Sequence, residues 1–195
     1  MDLAPVTLEG RHVRLEPLRR GHAAELWPAA SEADLWRYMT VEVRTPEDLE
    51  RWVASRVADG EGGTALPFLQ RDARTGQAIG STSLFDADAR HRRIEIGHTW
   101  LAASHRRTAA NTEAKLLLLT HAFERLGALR VQLKTDARNL RSQAAIARLG
   151  AVREGVLRQH MVLPDGYVRD TVMFSILDRE WPAVRERLRA RLSDP

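Results

Sequence analysis

Two adjoining stretches decide the fold. In RIEIGHTWL (Arg93–Leu101) the residues alternate in the pattern of a strand, and in HRRTAANTEAKLLLLTHAFE (His105–Glu124) the second half has the apolar pattern of a helix. In the second stretch, Arg106 and Arg107 precede the small and short polar residues Thr108–Thr112. N–H groups of a first helical turn lack intrahelical partners and carry partial positive charge, so this junction can hold an anion. The alternative is a capped surface turn with solvated arginines. A Walker-type loop is excluded, because GK[ST] does not occur there.

Outward from this junction, the chain alternates between strand and helix patterns. Strands are predicted over 6–18, 65–70, 77–85, 93–101, 128–135, 153–163 and 167–176, and helices over 22–30, 32–38, 46–59, 110–126, 139–149 and after Asp178. Gly127 and Gly150 end two of the helices, and Pro164-Asp165-Gly166 predicts a hairpin. We therefore expect one α+β domain over residues 1–195, with a mixed, mostly antiparallel sheet flanked by helices.

Composition narrows the class of protein. The chain has 195 residues and no cysteine, which excludes disulfides, thiolate metal sites and a cysteine nucleophile. No stretch approaches the roughly 18 apolar residues of a membrane span, and the charged N-terminus lacks a leader pattern, so we expect a cytoplasmic protein. The net charge of +4 is mild and comes mostly from arginine, and a nucleic-acid binder usually shows a denser basic stripe, so we do not expect nucleic-acid binding.

The strand Arg93–Leu101 carries a carboxylate among apolar residues. Strict alternation places Glu95 on the opposite face from His98 and Trp100. Glutamate is depleted from buried strand positions unless it has a partner or a task, and burial raises a carboxyl pKa toward that of a proton acceptor. We therefore select Glu95 as the candidate base, with His98 and His160 as alternatives that titrate near neutrality.

The layout from IEIGHTWL through HRRTAANTEAK to DARNLRSQAAIARLGAVREG resembles the GNAT superfamily of acyl-CoA-dependent N-acyltransferases. It is most similar to the branch that contains the bacterial ribosomal-protein N-terminal acetyltransferases. The resemblance runs from Arg14 to Trp181 and is densest over 95–155. It implies the GNAT fold, in which the sheet splays into a V between strands 93–101 and 128–135 and holds acetyl-CoA there, with no metal.

The resemblance also implies cofactor-binding residues. The family's R/Q-x-x-G-x-G/A pattern falls on Arg106, Ala109 and Asn111, with alanine in place of the first glycine and asparagine in place of the last small residue. The residues implied to bind the pyrophosphate are Arg106, Arg107, Thr108, Ala109, Ala110, Asn111 and Thr112. Those implied to meet the pantetheine are Trp100 and Leu101, through their backbone, and Asn139.

The implied reaction moves the acetyl group directly to a primary amine, with Glu95 as general base and Ser142 near the departing thiolate. Ile146 occupies the position where many family members have a tyrosine, and Met161 the position of an acidic base candidate in close relatives. The acceptor stays open between a protein N-terminus, such as that of a ribosomal protein, and a small-molecule amine such as an antibiotic or metabolite. Acyl-chain preference is open too.

A non-catalytic acyl-CoA-binding sensor or scaffold of the same fold is the alternative function. The final hairpin and the terminal helix with Trp181 have two interpretations. They could form the interface of a homodimer, or Trp181 could lie in the core of a single chain. The sequence does not choose between these interpretations.

Overall fold

A computed structural model describes residues 1–193. Its strands are β1 Leu8–Glu9, β2 Val13–Pro17, β3 Ala65–Asp72, β4 Ala78–Asp88, β5 Arg93–Leu101, β6 Arg130–Asp136, β7 Val152–Val162 and β8 Val168–Leu177. Its helices are α1 His22–Ala30, α2 Pro46–Glu61, α3 Ala109–Thr120, which continues as a π-helical segment His121–Arg125, α4 Leu140–Leu149 and α5 Trp181–Ser193. Over the described residues, the strands form an 8-stranded sheet in the order β1-β2-β3-β4-β5-β6-β8-β7.

Capping residues set the helix ends largely where the sequence predicts them. Thr45 and Asp48 form a reciprocal capping box at the start of α2, with Pro46 in the first turn. Asn139 caps α4, and Gly150 ends that helix with φ 102°, a conformation that glycine adopts without strain. These local signals explain why the predicted helices 46–59 and 139–149 are close to the observed ones.

The sheet is antiparallel except where β5 runs parallel to β6. That parallel pair has a register of Arg93↔Arg130, Ile94↔Val131 and Glu95↔Gln132, and no further rung joins the two strands within residues 1–193. Beyond Glu95 the strands diverge, so the predicted V-shaped splay in a mixed, mostly antiparallel sheet is confirmed.

A β-bulge interrupts β5. Ser83 pairs with Gly97 but Ser81 pairs with Trp100, so β5 has one more residue than β4 in this interval, and His98 has φ 49°. An extra residue reverses the faces of everything that follows it. The strict alternation expected for β5 is therefore wrong beyond Gly97.

Hydrophobic cores lie on both faces of the sheet. One contains Ile94, Ile96 and Leu101 of β5 and packs against α3, α4 and α5. The other contains Trp100, which packs edge-on or tilted against Trp36 and Trp52 on the α1–α2 side, with ring centroids 5.5 and 5.9 Å away. The strand β5 therefore contributes side chains to both cores and is fixed from both sides, and the bulge decides that Trp100 rather than Leu101 faces the α1–α2 side.

Three further expectations differ from the structure. The strand predicted over 6–18 is a short hairpin of β1 and β2, because Glu113 of α3 accepts hydrogen bonds from the backbone N–H groups of Arg11, His12 and Val13 and holds a turn there. The helix predicted over 32–38 is only a 3-10 turn, Ala33–Leu35. The final helix begins at Trp181 rather than beside Asp178.

Trp181 lies in the core, where its ring stacks 5.4 Å from that of Phe123 and its Nε1 donates to Glu124. This position accounts for Trp181 without a second chain. The exposed apolar residues of the final hairpin include Val152, Val156, Leu157, Val162 and Val168. Between Met1 and Ser193, none of the helices combines the length and the apolar character needed to cross a membrane.

Candidate active site

The first turn of α3 faces the mouth of the splay. Thr108 caps this helix: its Oγ1 accepts from the N–H of Ala110 at 3.3 Å and donates to the carbonyl of His105 at 2.9 Å. The positive φ of the loop falls on Arg107, at 63°. Ala109 and Asn111 lie inside the helix, so their conformation does not require glycine.

The structure gives the two loop arginines different surroundings. Arg106 donates from Nε to the carbonyl of Leu101 at 3.0 Å, and its Nη2 lies 2.8 Å from Glu32 Oε2. Glu32 also accepts from the N–H of Ala103 at 2.6 Å. Arg107 is exposed. Arg106 therefore fastens the loop to the segment after α1, whereas the guanidinium of Arg107 is exposed to solvent.

Trp100 and Leu101 end β5 with their side chains buried in opposite cores. The carbonyl of Trp100 accepts from Gln70 Nε2 at 3.1 Å, and a Cβ at Gly80 would collide with that same carbonyl. Because both side chains are buried, any contact of these two residues with a ligand would have to use their backbone.

Glu95 forms the last rung between β5 and β6, so its carboxylate lies at the apex of the splay. It is 1% exposed, and its Oε2 accepts from Gln132 Nε2 at 2.9 Å and from Lys134 Nζ at 3.0 Å. Burial raises the pKa of Glu95, while Lys134 and Gln132 oppose that rise. A Cβ at Gly97 would lie 3.3 Å from Glu95 Oε1, so any side chain at this position would crowd that oxygen.

His98 lies on the same face of β5 as Glu95, because the bulge reverses the alternation of side chains after Gly97. We call this side of the sheet the Glu95 face. Its Nε2 lies 3.1 Å from Arg56 Nη1, and its ring stacks on Phe85 with centroids 4.3 Å apart. Burial, together with the charges of Arg56 and Lys134, lowers the pKa of His98 to about 4. This histidine is therefore neutral at physiological pH and a weaker base than its residue type suggests.

His160 lies on an irregular part of β7 beyond Gln159, whose φ is 49°. Its pKa is lowered by partial burial and by the charges of Lys134 and Arg169. No hydrogen bond between His160 and Glu95 occurs in residues 1–193.

The start of α4 borders the other side of the splay. Asn139 Oδ1 accepts from the N–H of Ser142 at 3.0 Å, which leaves the amide NH₂ group of Asn139 to donate to a ligand. Ser142 is half-buried, and Ile146 packs one turn further on in the core. The structure thus brings Asn139 and Ser142 together on one helical turn.

Sequence reasoning missed several charged groups on the Glu95 face, notably Lys134, Arg56 and Arg169. Arg169 is 6% exposed, donating from Nε to Thr171 Oγ1 at 3.0 Å and from Nη1 to the carbonyl of Tyr38 at 3.3 Å. The alternation in RVQLKTD could have placed Lys134 opposite the core-facing Val131. Nothing local in the sequence marks the other two residues as members of this face.

Comparison with known proteins identifies the class. Residues 12–152 match the family described as "Acetyltransferase (GNAT) domain". The chain belongs to this family, and the predicted fold and family are thereby confirmed.

Individual relatives agree with this assignment. YdaF of Bacillus subtilis (strain 168), provisionally named as a ribosomal N-acetyltransferase, is 35% identical over 106 residues, which are 54% of this chain and 57% of YdaF. The match thus spans little more than half the length of that relative. A GCN5-related N-acetyltransferase from Brucella melitensis has a crystal structure that is 33% identical, with a TM-score of 0.90 over 97% of this chain and 86% of that one.

The structure of Mycobacterium smegmatis RimJ in complex with CoA-disulfide shares 23% identity and superimposes with a TM-score of 0.83 over 97% of this chain and 96% of that one. At this identity the likeness concerns the fold alone.

Proposed function

We propose that residues 1–195 form one acetyltransferase domain that moves an acetyl group from acetyl-CoA directly to a primary amine. The observation that carries this proposal is the position of Glu95: a buried carboxylate at the last β5–β6 rung, where the sheet opens. A raised carboxyl pKa suits a group that takes a proton from an ammonium ion near neutrality.

The residues present fit coenzyme A. The N–H groups of the first turn of α3 and the exposed guanidinium of Arg107 suit the pyrophosphate, because both favour phosphate oxygens. The free backbone edge of β5 up to Trp100 and Leu101 suits the amides of the pantetheine, with Asn139 opposite. When bound, acetyl-CoA supplies the thioester that the amine attacks.

The protein's own groups then have distinct tasks. Glu95 takes a proton from the acceptor ammonium, directly or through water, so that the neutral amine can attack. A backbone N–H of β5 donates to the acyl oxygen as it becomes anionic. The C–N bond forms first, and the C–S bond breaks as the acyl oxygen returns to a carbonyl. The second proton of the attacking nitrogen passes to the departing thiolate, to which Ser142 donates a hydrogen bond or relays that proton.

We propose further that good acceptors carry a carboxylate near the reacting amine. The Glu95 face has Arg169 almost fully buried, and within residues 1–193 no carboxylate oxygen lies within 4.0 Å of its guanidinium. Asp136 and Glu95 raise the pKa of Arg169 through their charges, but neither forms an ion pair with it. Asp136 pairs with Arg138 at 2.8 Å, and Glu95 pairs with Lys134 at 3.0 Å. The excess positive charge favours an acceptor that brings an anion.

The test is acetyl transfer to a matched panel of amines, with free thiol and acetylated product both measured. The panel pairs peptides that differ only in an acidic or amidated second residue, and free amino acids with their amides. Product on at least one amine is expected, with kcat/KM higher for the acidic member of each pair. Coenzyme binding without product on any amine would favour the non-catalytic sensor or scaffold. Equal rates within every pair would refute the acceptor proposal alone.

A further inference from the structure

Lys115 is a buried cation that the proposed reaction does not use. It lies on α3 and is 5% exposed, with its Nζ 2.8 Å from Thr99 Oγ1 and 3.5 Å from Thr82 Oγ1. The two threonine hydroxyls are themselves 2.7 Å apart. In the described part of the chain, no carboxylate oxygen lies within 4.0 Å of this amine, and burial lowers the pKa of Lys115 to about 7.

These contacts reach β5 in the segment where its backbone has the fewest ladder pairings with neighbouring strands. The rungs to β6 end at Glu95, and the ladder to β4 has no rung between Gly97 and Trp100. His98 and Thr99 therefore lie in a segment that ladder hydrogen bonds do not fix, although it leads directly to the backbone edge proposed to meet the thioester. Side-chain contacts must hold this segment instead.

The contacts are arranged on both faces of the sheet. His98 meets Arg56 of α2 on one face, and Thr99 meets Lys115 of α3 on the other. Thr82 of β4 bonds Thr99 across the strand pair, so Lys115 and Thr82 together tie the bulge to α3 and to β4. The helix that begins with the proposed pyrophosphate seat thus also holds the strand proposed to stabilise the acyl oxygen.

We propose that Lys115 is a positioning residue, which acts through Thr99 to hold the bulged backbone of β5 in the geometry that acetyl transfer needs. The proposal rests on the proposed function. Burying an amine with only hydroxyl partners costs stability, so an apolar side chain of similar length should be tolerated or preferred by the fold. A purely structural lysine would show the opposite behaviour.

The test compares Lys115→Met, Thr99→Val and Thr99→Ser with the unaltered protein, by kcat, KM for acetyl-CoA and melting temperature. Lys115→Met and Thr99→Val should each lower kcat about tenfold or more and leave KM within about threefold, since the first turn of α3 is untouched. Lys115→Met should melt no lower than the unaltered protein. Thr99→Ser keeps the hydroxyl and should restore kcat to within about threefold.

Two results would overturn the proposal: an unchanged kcat in both Lys115→Met and Thr99→Val, or losses of kcat that merely follow losses of melting temperature. Absence of transfer by the unaltered protein to any amine would instead refute the proposed function. In that event the amide NMR signals of His98 and Thr99 test the positioning role without the reaction. These signals should shift in Lys115→Met, and unchanged signals would overturn the positioning role.

Discussion

Replacing Glu95 with glutamine separates catalysis from stability. The amide keeps the shape of the side chain and can still accept from Lys134 Nζ, which lies 3.0 Å from the carboxylate, but it cannot take a proton. Loss of a positioned general base lowers rates by about 10²–10⁴, equivalent to about 2.7–5.4 kcal/mol of activation free energy. We expect kcat at neutral pH to fall by this factor in Glu95→Gln.

The same substitution should not weaken the fold at neutral pH. Because burial raises the folded-state pKa of Glu95 above its unfolded value, the stability that this group contributes is present below the unfolded pKa and is lost as pH rises through the folded pKa. Where the carboxylate is ionised, its burial is a cost to stability that the amide removes. The melting temperature should therefore stay equal or rise.

The assay is thiol release with saturating acetyl-CoA, with coenzyme affinity measured separately. Asp86→Asn is the matched control, because Asp86 is an exposed carboxylate whose Oδ2 lies 3.4 Å from Gln132 Nε2, and it should change kcat by less than about threefold. Affinity for acetyl-CoA should be unaltered in both variants. A Glu95→Gln rate within threefold of the unaltered protein would remove Glu95 from the mechanism and return attention to His98 and His160.

Other substitutions test neighbouring parts of the account. Arg107→Ala should weaken acetyl-CoA binding about tenfold or more in calorimetry without changing the melting temperature, because an exposed charge-assisted contact is lost. Arg106→Ala should instead destabilise the fold by about 1–3 kcal/mol in denaturant titrations, since Glu32 and the Leu101 carbonyl lose their partner. Lys134→Met should move the acid limb of the kcat profile to higher pH, because Lys134 lowers the pKa of Glu95 and the base must be ionised; an unmoved limb would mean that another group is titrating. Gly97→Ala should lower kcat/KM, because its Cβ would lie 2.7 Å from Phe85 Cε1 and 3.3 Å from Glu95 Oε1, and unchanged kinetics would show that the acceptor does not approach that oxygen. Arg169→Gln should reduce the advantage of acidic over amidated acceptors in matched kcat/KM measurements, and a retained advantage would contradict its role.

Local signals in the sequence predicted most of the architecture. Thr45-Pro46 and Asn139 mark helix starts, Gly127 and Gly150 mark helix ends, and the crossover from β5 through α3 to β6 requires the parallel pair at which the sheet opens. The position of Glu95 in an apolar strand also indicated burial. These features depend on neighbours within a few residues, which is why sequence alone shows them.

Features that depend on distant residues could not be predicted in this way. The bulge at His98 has no residue signature, yet it brings His98 to the Glu95 face and sends Thr99 toward Lys115. The pairing of Arg106 with Glu32 joins residues far apart in the chain, so Arg106 and Arg107 looked alike in the sequence. The burial of Ala110 in the core was also not evident from the sequence. A charged substitution at Ala110 would therefore test folding and not phosphate binding.

The central claim is that acetyl-CoA binds in the splay, and thermal unfolding with and without acetyl-CoA tests it most directly. A ligand of the folded state at a hundredfold excess over its Kd adds about 2.7 kcal/mol of stability. For a chain of this size that corresponds to a rise of about 5–10 °C in melting temperature, and Arg107→Ala should show a smaller rise at the same concentration. No rise with millimolar acetyl-CoA or any longer acyl-CoA would contradict the account.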